Sequence, residues 1–301
     1  MMKTTLTIVA LALATSVSAQ ESPLWMRYCA ISPDGSAVAF TYKGDIYTVP
    51  TTGGTARQLT TNAAYDTHPV WSPDSKQLAF CSNREGSMDV YVMQREGGTP
   101  RRLTTNSNSE TPIAFKDNNT VLYTSSIMPS AKSIIFANRM LPQVYEVGTN
   151  GSRPHLFSAL PMMDISIRPN GDLLYHDQKG YEDPWRKHHR SPITRDIWLR
   201  RGGKYTKLTN FNGEDRTPVW AAQGDTFYYL SEEDGTFNVY MRNIDGTGKQ
   251  QLTRHTTNPV RFLTAANNGT LCYGYDGEIY TLKQGEQPQK LKVNIVTDKI
   301  D

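Results

Sequence analysis

The sequence lacks the patterns that define several large classes of protein. No segment carries a convincing helical period, which excludes a predominantly α-helical fold. Its charges nearly balance, with 32 Lys and Arg against 29 Asp and Glu, so no broad basic surface for nucleic acid is expected. No Gly-x-Ser-x-Gly elbow, His-Glu-x-x-His helix or phosphate loop occurs. We therefore predict no catalytic residue, no metal site, no cofactor and no nucleic-acid partner within this chain.

Long apolar runs are also scarce, and the one near the start resembles a secretion signal. Lys3 precedes an apolar run from Leu6 to Leu13, and small residues at 17–19 would permit cleavage before Gln20. The run is too short for a membrane span, and no Cys follows the cleavage point as a lipoprotein would require. We predict that residues 1–19 are a signal peptide, that no segment spans the membrane, and that the mature chain is periplasmic.

Cysteine is rare, and the count of three does not allow complete pairing. Cys29 and Cys272 fall in the first and last of the repeats described below, so a disulfide across the seam of a closed ring is one interpretation. The other is that the cysteines are small buried hydrophobic residues, since Cys81 and Cys272 lie in strand patterns. The second interpretation is preferred.

The dominant pattern is a polar residue followed by Ile or Val and then Tyr or Trp, written six times at a spacing of roughly 40 to 54 residues. This period is typical of propeller blades. A single repeat cannot bury its apolar face alone, so the six units must stack on one another. The six copies begin at Asp45, Asp89, Gln143, Asp196, Asn238 and Glu278.

Each repeat also contains the other strands of a blade. An apolar-apolar-aromatic strand such as Val38-Ala39-Phe40 precedes the signature, and a polar turn such as Ser32-Pro33-Asp34-Gly35 precedes that strand. A glycine turn then leads to a last strand that often ends in Leu-Thr. Four antiparallel strands per repeat predict an all-β, six-bladed β-propeller over residues 20–293. The predicted blades are 24–60, 65–104, 110–158, 162–209, 215–253 and 259–293, with no strand exchanged between the ends, and 294–301 would begin a linker to a downstream region.

The recurring acid of the signature could suggest catalysis or metal binding, but a structural role is the better interpretation. A carboxylate at a strand start can bond the backbone of a neighbouring turn, and the aromatic residue that follows can fill the space between blades. The same holds for Asp34 and Asp74, which form turns.

These repeats resemble those of a known family. Ser32-Pro33-Asp34-Gly35, with the strand and signature that follow, resembles the Pro-Asp repeats of TolB-type propellers and of tricorn-like serine proteases. Six blades behind a signal peptide are similar to the first propeller of a bacterial tricorn-like peptidase. The resemblance implies a gated peptide channel whose catalytic domain lies further along the polypeptide.

Two long insertions mark the places where the repeats differ. They span residues 124–142 and 176–195, both between the second and third strands of neighbouring blades, so we expect them side by side on one face. Trp and Arg favour interfaces, and we predict a docking surface there. A metal site from His176 with the adjacent pair His188 and His189 is disfavoured, because adjacent histidines seldom enter one small cage. The predicted docking residues are Met128, Phe136, Trp185, Arg186, His188 and His189.

Polar residues begin several of the innermost strands, which line the central channel of a propeller. We expect them to form a charged rim around the mouth on the insertion face, suited to loose contact with peptide termini and backbone; the alternative is that they are ordinary solvated strand ends. The predicted rim residues are Arg27, Asp66, His68, Glu110, Asp164, Arg216 and Arg261.

Together these features predict a non-catalytic accessory domain of an exported tricorn-like serine peptidase. Its expected partners are peptides in transit and either downstream protease domains or other subunits, with homo-oligomers in the full-length form. A free-standing, TolB-like periplasmic scaffold that binds proteins is the alternative from another class. A prolyl-oligopeptidase-like propeller is a third interpretation.

Overall fold

The computed structural model describes residues 23–127, 141–180 and 190–296. Within these ranges the regular structure consists of strands, without a helix, arranged in six antiparallel sheets of four strands each. The prediction of a six-bladed, all-β propeller is confirmed. The part of the chain described here also contains no helix long and apolar enough to cross a membrane.

The strands of each blade follow one another in sequence, from the innermost to the outermost. The first three blades contain β1 (Arg27–Ile31), β2 (Ala37–Tyr42), β3 (Asp45–Pro50) and β5 (Arg57–Gln58); β6 (Asp66–Trp71), β7 (Gln77–Glu85), β8 (Ser87–Gln94) and β9 (Gly97–Arg102); and β10 (Glu110–Asp117), β11 (Thr120–Ser125), β12 (Gln143–Gly148) and β13 (His155–Ser158).

The last three blades contain β14 (Met162–Ile167), β15 (Leu173–Asp177), β16 (Ile197–Arg201) and β17 (Lys204–Lys207); β18 (Asp215–Trp220), β19 (Thr226–Ser231), β20 (Asn238–Asn243) and β21 (Gln250–Gln251); and β22 (Arg261–Ala265), β23 (Leu271–Tyr275), β24 (Glu278–Leu282) and β25 (Gln289–Lys290). Each innermost strand packs against the innermost strands of both neighbouring blades, so the six sheets form a closed ring.

The hydrophobic core is divided into six clusters, one at each interface between neighbouring blades. The apolar-apolar-aromatic strands and the signature aromatics supply much of it, because alternate residues of a strand point toward opposite neighbours. Within a blade their rings lie close together, as for Phe40 and Tyr47, whose centroids are 5.8 Å apart. The predicted role of the signature aromatics as filling between blades is confirmed.

The signature acid fastens the third strand to the end of the fourth. In the first blade the Thr60 hydroxyl donates to Asp45 Oδ1 (3.1 Å) and accepts from the Ile46 amide (2.9 Å). In the fifth blade Thr253 bonds Asn238 and the Val239 amide in the same way. The acid is structural, as predicted, and in the first blade its partners include the Thr60 hydroxyl and the Gln58 side-chain amide.

The ring closes between the sixth and first blades. The Met26 amide donates to the Gly277 carbonyl (3.0 Å), and the Ile31 amide donates to the Thr264 hydroxyl (3.0 Å). A short strand, β26 (Val293–Asn294), pairs in parallel with β4 (Gly54–Thr55) of the first blade. Each four-stranded blade therefore keeps its own strands, as expected, and this short parallel pair adds a separate contact between the last strand and the first blade.

The three cysteines are buried free thiols. Cys29 and Cys272 belong to the core cluster between the first and sixth blades, and Cys81 lies on β7. Burial raises the pKa of the Cys81 thiol to about 12, which keeps it protonated. The structure therefore presents them as small core residues.

Candidate functional site

A cavity of about 1160 Å³ occupies the centre of the ring. The innermost strands β1, β6, β10, β14, β18 and β22 all contribute to its wall, which extends from the insertion face to the turns after these strands at the opposite end. Its volume exceeds the several hundred Å³ typical of small-molecule pockets. The cavity is therefore large enough for a segment of peptide.

All six innermost strands contain a β-bulge, five of them at the same place. In five of them, two residues lie between a pair in register and the next pair, as between Thr67, opposite Cys81, and Val70, opposite Ala79. The same irregularity occurs in β1, β14, β18 and β22, whereas in β10 a single residue, Ile113, lies between Pro112, opposite Tyr123, and Ala114, opposite Leu122. A bulge bends the strand and changes the direction of a side chain, and bulges are frequent beside functional sites.

In those five blades the first bulge residue borders the cavity, as does Pro112 at the corresponding position of the third blade, and we call these six residues the bulge ring. Five have the positive φ that non-glycine residues rarely adopt, between 48° and 59°. The third blade has proline instead, whose ring fixes φ near −65° and forbids that conformation. The members of the bulge ring are Tyr28, His68, Pro112, Asp164, Thr217 and Phe262.

One side of the bulge ring is aromatic. The Tyr28 ring lies 4.8 Å from the Phe262 ring of the sixth blade and 3.7 Å from the His68 imidazole of the second, measured between centroids. Burial lowers the pKa of His68 to about 4, so the imidazole is neutral at pH 7. These three residues, which we call the aromatic arc, form a continuous uncharged surface over three blades.

The opposite side, which we call the polar arc, consists of Asp164 and Thr217 on the fourth and fifth blades. The Thr217 hydroxyl donates to Asp164 Oδ2 (2.7 Å), and the Thr217 amide donates to His176 Nδ1 (3.2 Å). Because that amide needs an acceptor, the His176 proton is assigned to Nε2. Burial, followed by the charges of Arg195 and Arg216, lowers the pKa of His176 well below its ordinary value.

Asp164 is the more exposed member of the polar arc. Its side chain is 46% exposed because it faces the cavity, yet protein surrounds the site. The resulting loss of solvation raises the carboxyl pKa, opposed by the Thr217 hydrogen bond and by Arg195 and Arg216. Asp164 can accept further hydrogen bonds from a molecule in the cavity.

An ionic cluster lies behind the polar arc. Arg195 and Arg216 line the cavity, and both contact the carboxylate of Glu214, Arg195 through Nη1–Oε1 at 3.7 Å. All three residues are buried. A buried charge costs free energy unless it is paired. The ion pairs therefore hold these three side chains in place in the cavity wall beside the polar arc.

Four of the seven predicted rim residues line the cavity: His68, Asp164, Arg216 and Arg261. The other three do not. Asp66 is fully buried and receives two hydrogen bonds from Arg84 (2.9 and 3.0 Å). Glu110 is also buried, which raises its carboxyl pKa to about 7. Arg27 lies over the ring of Trp25, 5.2 Å from its centroid.

The predicted docking residues Met128, Phe136, Trp185, Arg186, His188 and His189 lie outside the described residues. The described ends of both insertions do join the second and third strands of neighbouring blades, β11 to β12 and β15 to β16. Of the three histidines considered for a metal, His176 contacts Thr217 and Asp164. Among the described residues no group of three or more His, Cys, Asp or Glu is placed to hold a metal ion.

Sequence reasoning did not find Tyr28, Pro112, Thr217 or Phe262. It considered charged residues at strand starts and overlooked the position after them, where the bulge lies. A signal was present: His68 and Thr217 precede prolines, and the residue before a proline is restricted away from the α-helical region. Only these two of the six bulge-ring residues precede a proline, so the dipeptide did not mark the position in the other four blades.

Comparison with known proteins places this fold in a family context. A family model described as the tricorn protease N-terminal β-propeller domain matches residues 23–288. Tricorn protease homolog 1 of Streptomyces coelicolor is 28% identical over 295 residues, covering 95% of this chain and 26% of that protein. This chain therefore spans about a quarter of the length of that relative.

Solved structures show the same fold. A crystal structure of the tricorn protease aligns with a TM-score of 0.77 at 19% identity, covering 93% of this chain and 27% of that one. TolB from Acinetobacter baumannii aligns with a TM-score of 0.61 at 15% identity, covering 89% of this chain and 65% of that one. At these identities the likeness concerns the fold alone.

Proposed function

This chain belongs to the tricorn protease N-terminal β-propeller domain family, and from that premise we propose that it is a non-catalytic accessory module of an exported serine peptidase. Peptides enter or leave through its central cavity, and its insertion face docks against protease domains or other subunits. Residues 1–19 direct export, which places the module in the periplasm. The matched relative bears the name of a protease, and we assign the peptidase activity to regions outside the propeller.

The observation that supports this proposal is the central cavity and its wall. The cavity offers about 1160 Å³ inside a ring of blades, and in five of them the bulge turns a side chain toward it. Backbone strain of this kind costs on the order of 1 to 3 kcal/mol per residue and tends to cluster at ligand-binding positions. Five strained positions around one cavity therefore support a role for this cavity in binding a ligand.

A photoreactive peptide tests the proposal. A short peptide of mixed sequence that carries a photoreactive residue is incubated with the chain, irradiated, and the attachment sites are mapped by mass spectrometry. We expect attachment at cavity residues such as Val70, Ile113 and Val219, and competition by unlabelled peptide. As a control, Tyr205 is an exposed aromatic on an outermost strand, outside the cavity.

Attachment confined to the blade exteriors, or none, would overturn the proposed passage of peptides. Saturable attachment of a folded protein to the insertion face, without peptide in the cavity, would instead support the TolB-like scaffold. A second arm tests the peptidase role: the tagged chain is recovered from its native cells and probed with a fluorophosphonate that labels active serine hydrolases. Absence of any labelled serine hydrolase in the recovered complex contradicts the accessory role.

A further inference from the structure

We infer that the bulge ring is a side-chain selector, which favours extended peptides that carry an aromatic or other bulky apolar residue. The inference rests on the proposed passage of peptides and goes beyond it by naming the peptide class and the residues that recognise it. The inference follows from a chemical difference between the aromatic arc and the polar arc, whose residues share the same bulged backbone conformation.

The first step concerns position. The bulge lies at the same register in five innermost strands, and Pro112 occupies the corresponding position of the third blade, so the side chains of the bulge ring lie at one level of the cavity wall. Contacts between neighbouring blades confirm this level, since Tyr28 reaches both Phe262 and His68, and Thr217 reaches Asp164. A chain that crosses this level therefore contacts both arcs.

The second step concerns the aromatic arc. Phe262, Tyr28 and His68 come from three successive blades and none of them is charged at neutral pH, because burial raises the pKa of Tyr28 and lowers that of His68. All three are only partly buried and border the cavity. Aromatic rings gain stability from offset or edge contacts with further rings. The arc is thus suited to a bulky apolar side chain.

The third step concerns the polar arc, which meets the other side of the same ligand. The exposed Asp164 carboxylate is placed to accept a hydrogen bond from a peptide N–H, and the Thr217 hydroxyl fixes its orientation. In an extended peptide, successive side chains point to opposite faces and the backbone amides project sideways between them. Such a peptide can therefore lay an apolar side chain on the aromatic arc while an amide reaches Asp164.

The test compares two neutral, end-blocked peptides that differ at one central position, Phe in one and Ser in the other. Binding to the complete chain is measured by fluorescence anisotropy. We expect the Phe peptide to bind about tenfold more tightly, the scale of one favourable aromatic contact plus its buried area. Equal affinity of the two peptides for the unmodified chain would overturn the inference.

Variants then identify the selector. Tyr28→Asn and Phe262→Asn remove the rings while keeping a residue that tolerates positive φ, and we expect the double variant to bind the two peptides within about twofold of each other. Trp25→Asn is the matched control: Trp25 is also an aromatic residue at positive φ, 71°, but it is 68% exposed and outside the cavity. The Trp25→Asn variant should still bind the Phe peptide about tenfold more tightly than the Ser peptide.

Failure of the inference and failure of the proposed function give different results. If both peptides bind equally and photoattach inside the cavity, selectivity is refuted and peptide passage stands. If neither peptide binds or photoattaches, both fail. A double variant that folds, as judged by its thermal transition, yet keeps the tenfold ratio also refutes the assignment to Tyr28 and Phe262.

Discussion

The aromatic and polar arcs have the same backbone and opposite chemistry. Both use a bulge whose first residue has positive φ, yet one arc presents an uncharged ring surface and the other an exposed carboxylate backed by buried ions. The blade repeat therefore determines the backbone geometry of these positions but does not determine which ligand they bind. Specificity lies in the residues that differ between equivalent positions, and the following experiments change those residues on one arc at a time.

The largest expected effect comes from the ions behind the polar arc. Arg216→Met leaves the buried Glu214 carboxylate with Arg195 at 3.7 Å as its remaining arginine partner. Removing one partner of a buried ion pair costs about 3–5 kcal/mol of unfolding free energy, measurable by urea denaturation. Arg261→Met, at the equivalent position of the sixth blade and less buried, is the control and should cost clearly less. Equal losses would show that the cluster does not support the polar arc.

The second effect separates the arcs by pH. His68 has a folded-state pKa of about 4 against about 6.5 when unfolded. Between pH 6.5 and pH 4, His68 is therefore protonated in the unfolded chain and neutral in the folded chain. The free energy of unfolding falls as the pH drops through this window. This one group contributes at most about 3 kcal/mol over that window.

His68→Asn removes that contribution and keeps a residue that tolerates positive φ. The unfolding free energy of the variant should fall less steeply with acid than that of the unmodified chain, while other groups, His176 included, titrate in both proteins. Urea denaturation at several pH values gives the difference curve. Parallel curves would mean that the imidazole is not held neutral within the aromatic arc.

The smallest effect concerns Thr217, a β-branched residue at φ 50°. Thr217→Ser keeps the hydroxyl that donates to Asp164 and removes the branch, so we expect a change in unfolding free energy within about 0.5 kcal/mol. Thr217→Val keeps the branch and removes the donor, at a cost of about 1 kcal/mol. If Ser and Val variants are equally stable in urea, the 2.7 Å hydrogen bond does not stabilise the polar arc.

The sequence predicted the architecture well because architecture repeats. Six copies of one pattern, such as Asp45-Ile46-Tyr47, average out local ambiguity and indicate strand order, turns and the packing of aromatic residues between blades. The parallel pairing of Val293–Asn294 with Gly54–Thr55 was not predictable in this way, since it occurs once and joins chain segments remote in sequence.

The candidate site was predicted only in part, for a physical reason. A charged residue at a strand start can face the cavity, as Asp164 does, or lie buried in an ion pair, as Asp66 does with Arg84. Strand alternation would decide between these outcomes, but the bulge shifts that alternation at this very position. Tyr28 and Phe262 were overlooked because an aromatic residue in a strand ordinarily indicates core.

A crystal structure of the chain with the Phe-containing peptide tests the central claim most directly. The account predicts the peptide in the central cavity, its aromatic side chain against Tyr28 and Phe262, and a backbone N–H within hydrogen-bond distance of Asp164. A peptide bound on the insertion face or on a blade exterior, with the cavity level of the bulge ring untouched, would contradict it.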